Sequence, residues 1–145
     1  MPPNTIASSP YASTSTSSQR AYDRDDFRDF VLTRIDHIQP GPTADFDAAD
    51  DVEWNTMIAL DLRPHPGLTE EQSQAIQRDY SMTEGRRSIE VRLSMAYYFI
   101  MRMNLDLADL PPARVQISLH NLAEVRQAIE AAKDESKRRI LDRKA

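Results

Sequence analysis

The sequence predicts an α+β protein: a small antiparallel or mixed sheet with helices packed on it, in the order α–β–α–β–β–α. Three observations lead there. Residues 23–38 and 122–141 repeat apolar side chains at helical spacing, residues 88–107 and 113–119 alternate apolar with polar positions, and clusters rich in proline separate these runs. An all-α bundle is the alternative, because residues 88–107 also satisfy a helical period.

The first 22 residues, "MPPNTIASSPYASTSTSSQRAY", are rich in serine, threonine and proline and contain no acid. Such a stretch buries too little apolar surface to offset its ordering entropy, so residues 1–22 are expected to be a disordered tail ahead of a single globular domain, 23–145. The tail has no hydrophobic core for secretion. Its composition overlaps that of transit peptides, so organelle import stays open, although it holds a single arginine, Arg20.

Residues 23–38, "DRDDFRDFVLTRIDHI", read as a helix, since Phe27, Phe30, Val31, Ile35 and Ile38 form one stripe. Asp23, Asp25 and Asp26 would sit at its positive end. "QPGP" stops it, and an acidic loop follows at 43–51. Residues 52–62 read as a strand with Ile58, Leu60 and Leu62 on one face, or as a short helix capped by Asp50. Thr69 with Gln72 is a capping box that opens a surface helix over 68–80.

The segment "SIEVRLSMAYYFIMRMNLDL", residues 88–107, is the hardest to assign. All its odd positions from Ile89 to Leu107 are apolar, and yet Ile89, Leu93, Ala96, Ile100, Met103 and Leu107 also make a helical stripe. The strand leaves fewer residues misplaced, at least in the first half, and its β-branched and aromatic residues favour it. Val115, Ile117 and Leu119 then alternate in a second strand, able to pair with its predecessor across Pro111–Pro112. Asn121 and Glu124 cap a final helix whose buried stripe is Leu122, Val125, Ile129, Ala132 and Ile140.

Composition narrows the function. The chain has 145 residues, a formal net charge of −5 and no cysteine, which excludes disulfides and cysteine-bound metals and fits a reducing, cytoplasmic setting. No apolar run is long enough to span a membrane. Gly41, Gly67 and Gly85 are isolated, so no glycine-rich phosphate cradle exists, and the acidic loop lacks the calcium-loop spacing. Neither a cofactor nor a metal is expected. Catalysis is a distant third reading, a small hydrolase-like enzyme built on His120 or His65 with nearby carboxylates, because no nucleophile motif surrounds any serine.

The main expectation is a non-enzymatic protein–protein interaction module: an adaptor, assembly subunit or chaperone-like protein that binds another protein or itself. Tyr97, Tyr98, Phe99, Ile100, Met101 and Met103 concentrate aromatic and methionine side chains, with Tyr97, Tyr98, Ile100, Met101 and Met103 as the expected interface, and on a strand Ala96, Tyr98 and Ile100 would interrupt the polar face. The alternative is a DNA-associated regulator using residues 113–145. "RVQISLHNLAEVRQAIEAAKDESKRRI" resembles the ribbon-then-helix start of ribbon-helix-helix repressors. That resemblance implies that Arg114, Gln116 and Ser118 read the groove, with Arg138 and Arg139 in the basic end beyond. The acidic balance of the chain argues against it, since net negative charge repels phosphate.

Overall fold

The computed structural model describes residues 16–21, 26–37, 47–107 and 109–145. They form two compact units, one of residues 53–131 and one that combines the chain up to Val52 with residues 132–145.

The unit of residues 53–131 is an antiparallel sheet with helices. Its strands β3 (Met57–Pro64), β4 (Arg87–Arg92) and β5 (Ile117–Leu119) lie in the order β4-β3-β5. Leu60 pairs with Ile89 on one side, and Leu62 with Leu119 on the other. Period-2 alternation sends Leu60, Leu62, Ile117 and Leu119 into the core and leaves Ala59, Ser88 and Glu90 exposed. The second strand of the expected pair therefore joins β3, not its predecessor β4. Helices α2 (Glu70–Asp79) and α3 (Leu93–Arg102) pack on β3, and α3 also packs on β4.

Each boundary has a local cause. Thr69 and Gln72 form the expected capping box: the Gln72 N–H donates to Thr69 Oγ1 at 3.3 Å and the Thr69 N–H to Gln72 Oε1 at 3.0 Å. Both helices end in the same six-to-one device. Ser81 and Asn104 adopt φ of 49° and 53°, while the Met82 N–H reaches Gln77 O and the Leu105 N–H reaches Ile100 O. Between α2 and β4, Glu84 and Gly85 are both left-handed inside the Thr83–Arg86 bridge, the geometry of a two-residue hairpin turn.

The segment 88–107 is both of the things its sequence suggests. It is a strand to Arg92 and a helix from Leu93. Arg92 is held extended (φ −66°, ψ 144°), donates to Trp54 O and lies over the Trp54 ring, and the Leu93 N–H bonds to Thr56 O. Contacts from a part of the chain far away in sequence set the break, so no local pattern marks it.

In the other unit, β1 (Thr16–Ala21) and β2 (Asp26–Val31) form an antiparallel pair, Ser17 opposite Phe30 and Arg20 opposite Phe27. The helix expected over 23–38 is not formed in its described part: residues 26–31 are strand and Leu32–Arg34 a single 3-10 turn, while residues 23–25 and 38 lie outside the described residues. Its i, i+3, i+4 pattern is local, whereas pairing with β1 supplies main-chain partners that the pattern cannot anticipate. Of the expected tail, residues 1–15 and 22 lie outside the described residues and 16–21 are β1. A second 3-10 turn, Ala48–Asp50, leads to the short helix α1 (Val52–Asn55). The final helix α4 (Leu122–Lys144) contributes residues 122–131 to the first unit described and 132–144 to the second.

Candidate interaction surface

Helix α3 has two unlike sides. Leu93, Ala96 and Ile100 recur at helical spacing and are buried, at 2, 0 and 4 % exposure. Met95, Tyr97, Tyr98 and Met101 are exposed. An open groove of about 630 Å³ runs along this side, lined by Val91, Met95, Tyr98, Phe99, Met101 and Arg102. The rings of Tyr97 and Tyr98 meet edge to face, 5.5 Å between centroids.

This corrects the expected orientation. On a strand, Ala96, Tyr98 and Ile100 would share the outer face; on a helix, Ala96 and Ile100 are one turn apart and both point into the core. Ile100 is therefore a core residue, Met103 is half-buried, and Tyr97, Tyr98 and Met101 are at the surface. Val91, Met95 and Arg102 were not singled out from the sequence. Met95 and Arg102 line up with Phe99 once the helix register of α3 is chosen, and Val91 adjoins them from β4.

The side of the sheet away from the core is polar. Asp61 on β3 accepts from Arg63 at 2.9 Å and lies 3.7 Å from the Arg86 guanidinium. The Arg63 hydrogen bond, with the charges of Arg63, Arg86 and His120, holds the Asp61 carboxyl below its ordinary value despite partial burial. His120 is exposed, and the His65 ring accepts the Gly67 N–H through Nδ1 at 3.0 Å. No described geometry assembles a nucleophile, base and orienting acid around either histidine.

The acidic loop, whose residues 43–46 lie outside the described residues, is matched at its end by basic groups of its own chain. Arg143 contacts Asp50 at 2.9 Å and Asp47 at 3.3 Å, and Arg139 donates to Ala49 O. The Ala49 N–H and then Arg143 hold the Asp47 carboxyl below its ordinary value. Ser136, buried in α4, accepts the Val52 N–H at 3.0 Å. Among the described residues no group of three acidic, histidine or cysteine side chains is placed to hold a metal, and no helix is long and apolar enough to cross a membrane.

The residues of the DNA-reading alternative divide into two sets. Arg114 and Gln116 are exposed and Ser118 is half-buried on β5, which is three residues long. Arg138 and Arg139 both bind Glu135, lowering its carboxyl pKa, chiefly through the Arg139 hydrogen bond. Their charges are therefore partly neutralised within α4.

The sheet, α2, α3 and the start of α4 fall in a segment that is similar to a known family. Residues 57–125 match the family described as the BrxR transcriptional regulator, C-terminal dimerization domain. The chain is also similar to proteins named DNA-binding transcriptional repressor CapW. It is 40 % identical over 116 residues to that of Pseudomonas aeruginosa, an alignment covering 77 % of this chain and 38 % of the relative. With that of Stenotrophomonas maltophilia it shares 33 % over 112 residues, 74 % of this chain and 37 % of the relative. With that of Escherichia coli strain KTE188 it shares 35 % over 104 residues, 70 % and 35 % of the two chains. The chain thus spans between a third and two fifths of the length of these relatives.

These similarities overturn the expectation of an adaptor, assembly subunit or chaperone-like module acting apart from DNA. The family and the relatives are regulators of transcription, and they favour the DNA-associated alternative. Self-association fits a family described as a dimerization domain.

Proposed function

We propose that this chain is the self-associating part of a DNA-binding transcriptional repressor, joining two copies so that the assembled regulator meets its DNA as a dimer. The observation that carries the proposal is the exposed apolar side of α3, which lies within the segment that matches the dimerization family. Large exposed apolar faces on a soluble domain mark contact surfaces, and tyrosine and methionine are enriched there. Two-fold pairing suits a repressor because a dimer doubles the DNA contacts and matches a palindromic site.

Tyr97, Tyr98 and Met101 are the surface contacts of this interface, joined by Met95 and Phe99 along the groove, while Ile100 and Met103 support α3 from behind. If the strand–helix segment itself touches DNA, Arg114 and Gln116 are better placed than Arg138 and Arg139, which are tied to Glu135.

Sedimentation equilibrium over a dilution series tests the surface. Tyr98→Ser should weaken association about ten-fold or more, as loss of an aromatic anchor costs 2 kcal/mol or so, and leave the melting temperature near that of the parent. Unchanged association with a folded variant would remove Tyr98 from the interface.

A further inference from the structure

We infer that two copies of the chain join through the outer edge of β4, antiparallel, with Val91 on the two-fold axis and Glu90 opposite Arg92 of the partner subunit. The inference rests on the self-association proposed above and adds its strand edge and register.

The sheet order leaves β4 at an edge. Its backbone orientation follows from the contacts at its end. The Leu93 N–H bonds to Thr56 O on the β3 side, so by alternation Val91 and Ile89 also face β3. The N–H and C=O groups of Ser88 and Glu90 and the N–H of Arg92 therefore point outward, while the Arg92 C=O, at the N-cap of α3, opens that helix. On β3 the same alternation turns Ala59 and Asp61 the other way, where they bond to Asn121 and His120. An outward row of main-chain groups is a template for another strand unless it is guarded by proline, charged side chains, a bulge, a cover or short length. The opposite edge, β5, is short, at three residues. By contrast β4 has six residues, no proline or lysine, and an unbroken register with β3 from Arg87 to Arg92; its charges, Arg87, Glu90 and Arg92, are of both signs and guard it only in registers that set like against like.

Symmetry and charge then select the register. A two-fold axis perpendicular to the sheet sets one residue opposite its own copy. Centred on Glu90, the edge would bring two carboxylates together, which destabilises a strand pair. Centred on Ile89, Glu90 would face Ser88 and gain no cation. Centred on Val91, Glu90 faces Arg92 of the partner subunit, twice over; the Arg92 N–H of each copy can donate to the Glu90 C=O of the other, and the guanidinium keeps donors beyond the one it gives to Trp54 O. Val91 also lines the α3 groove together with Met95, Tyr98 and Phe99, so the axis passes beside the apolar surface proposed above. A strand edge and an apolar helix side thus meet at one residue.

The absence of cysteine makes the test clean. Val91→Cys places a thiol on the axis, in a pair not joined by hydrogen bonds, with Cα atoms about 4.5 Å apart, within the reach of a disulfide. Mild oxidation of the full chain should give a covalent dimer on a non-reducing gel, whereas Glu90→Cys, displaced from the axis, should cross-link far less. Glu90→Arg, at an exposed position, should raise the dimer dissociation constant about ten-fold by setting arginine against arginine. A dimeric parent whose Val91→Cys thiol stays free, or whose Glu90→Arg variant associates as before, overturns the β4 register and leaves self-association standing. A monomeric parent overturns both.

Discussion

The side chain of Asn121 stands in for a strand residue beside Asp61. Its Oδ1 accepts the Asp61 N–H at 3.0 Å, and its Nδ2 donates to Ala59 O at 2.9 Å, so one carboxamide serves two main-chain groups of β3 just where β5 ends. The Val125 N–H meanwhile bonds to Asn121 O, the first turn of α4. One residue thus finishes a sheet and starts a helix.

Replacing it tests that double role. Asn121→Ala leaves the Asp61 N–H and Ala59 O without partners, at a cost of about 1 to 3 kcal/mol in urea unfolding. Asn121→Asp should also destabilise at neutral pH, because a carboxylate still accepts from Asp61 N–H but faces the Ala59 carbonyl with no donor. If both variants matched the parent, the carboxamide bridge would have no energetic role.

Ser136 provides a second structural test. It is 4 % exposed and accepts the Val52 N–H. Ser136→Ala should cost about 1 to 2 kcal/mol, seen as a lower urea midpoint with unchanged slope. A larger loss with an altered slope would mean that the segment before α1 had come away from α4.

The Asp61 carboxyl gives a pH dependence of definite sign. Its folded pKa lies below the ordinary 3.8, chiefly through the Arg63 hydrogen bond, so the folded state holds this proton less tightly than the unfolded chain. The stabilisation is fully present above the unfolded value and is lost as pH falls through the folded one. Asp61→Asn should therefore be less stable than the parent at pH 7, with the gap closing as the pH drops below 4. A gap that stays constant down to pH 3 would show that the Arg63 and Arg86 pairing adds nothing.

Core and surface of α3 should respond in opposite ways. Leu93→Ala, at 2 % exposure, should cost about 2 to 5 kcal/mol of stability. Met101→Ser, at 47 % exposure, should leave thermal stability nearly unchanged and weaken association. Equal melting temperatures for Leu93→Ala and the parent would place Leu93 outside the core.

Legibility in the sequence followed the range of the forces involved. The Thr69–Gln72 box and the alternation in β3 and β5 are local and were readable. So was the stripe of α4, with Val125, Ile129, Ala132 and Ile140 all buried. The strand–helix break at Arg92 was not, because Trp54, distant in sequence, fixes it. Phe27, Phe30 and Val31 read as a helix because the β1 strand that pairs with them comes from a serine- and threonine-rich stretch with no apolar period. On the exposed side of α3, Tyr97, Tyr98, Phe99 and Met101 stood out by composition. The position of Met95 beside them, and the burial of Ile100, needed the helical register. A DNA-associated regulator stood only as the alternative, on the resemblance of the segment from Arg114, because the net negative charge weighed against it; similarity to named repressors reversed that order.

The central claim is that this chain associates with itself. Size-exclusion chromatography with light scattering on the full chain measures that most directly. A self-associating chain gives a mass twice 16.6 kDa at micromolar concentration, reverting toward 16.6 kDa in Tyr98→Ser. A parent chain that elutes at 16.6 kDa across the accessible concentration range would contradict it.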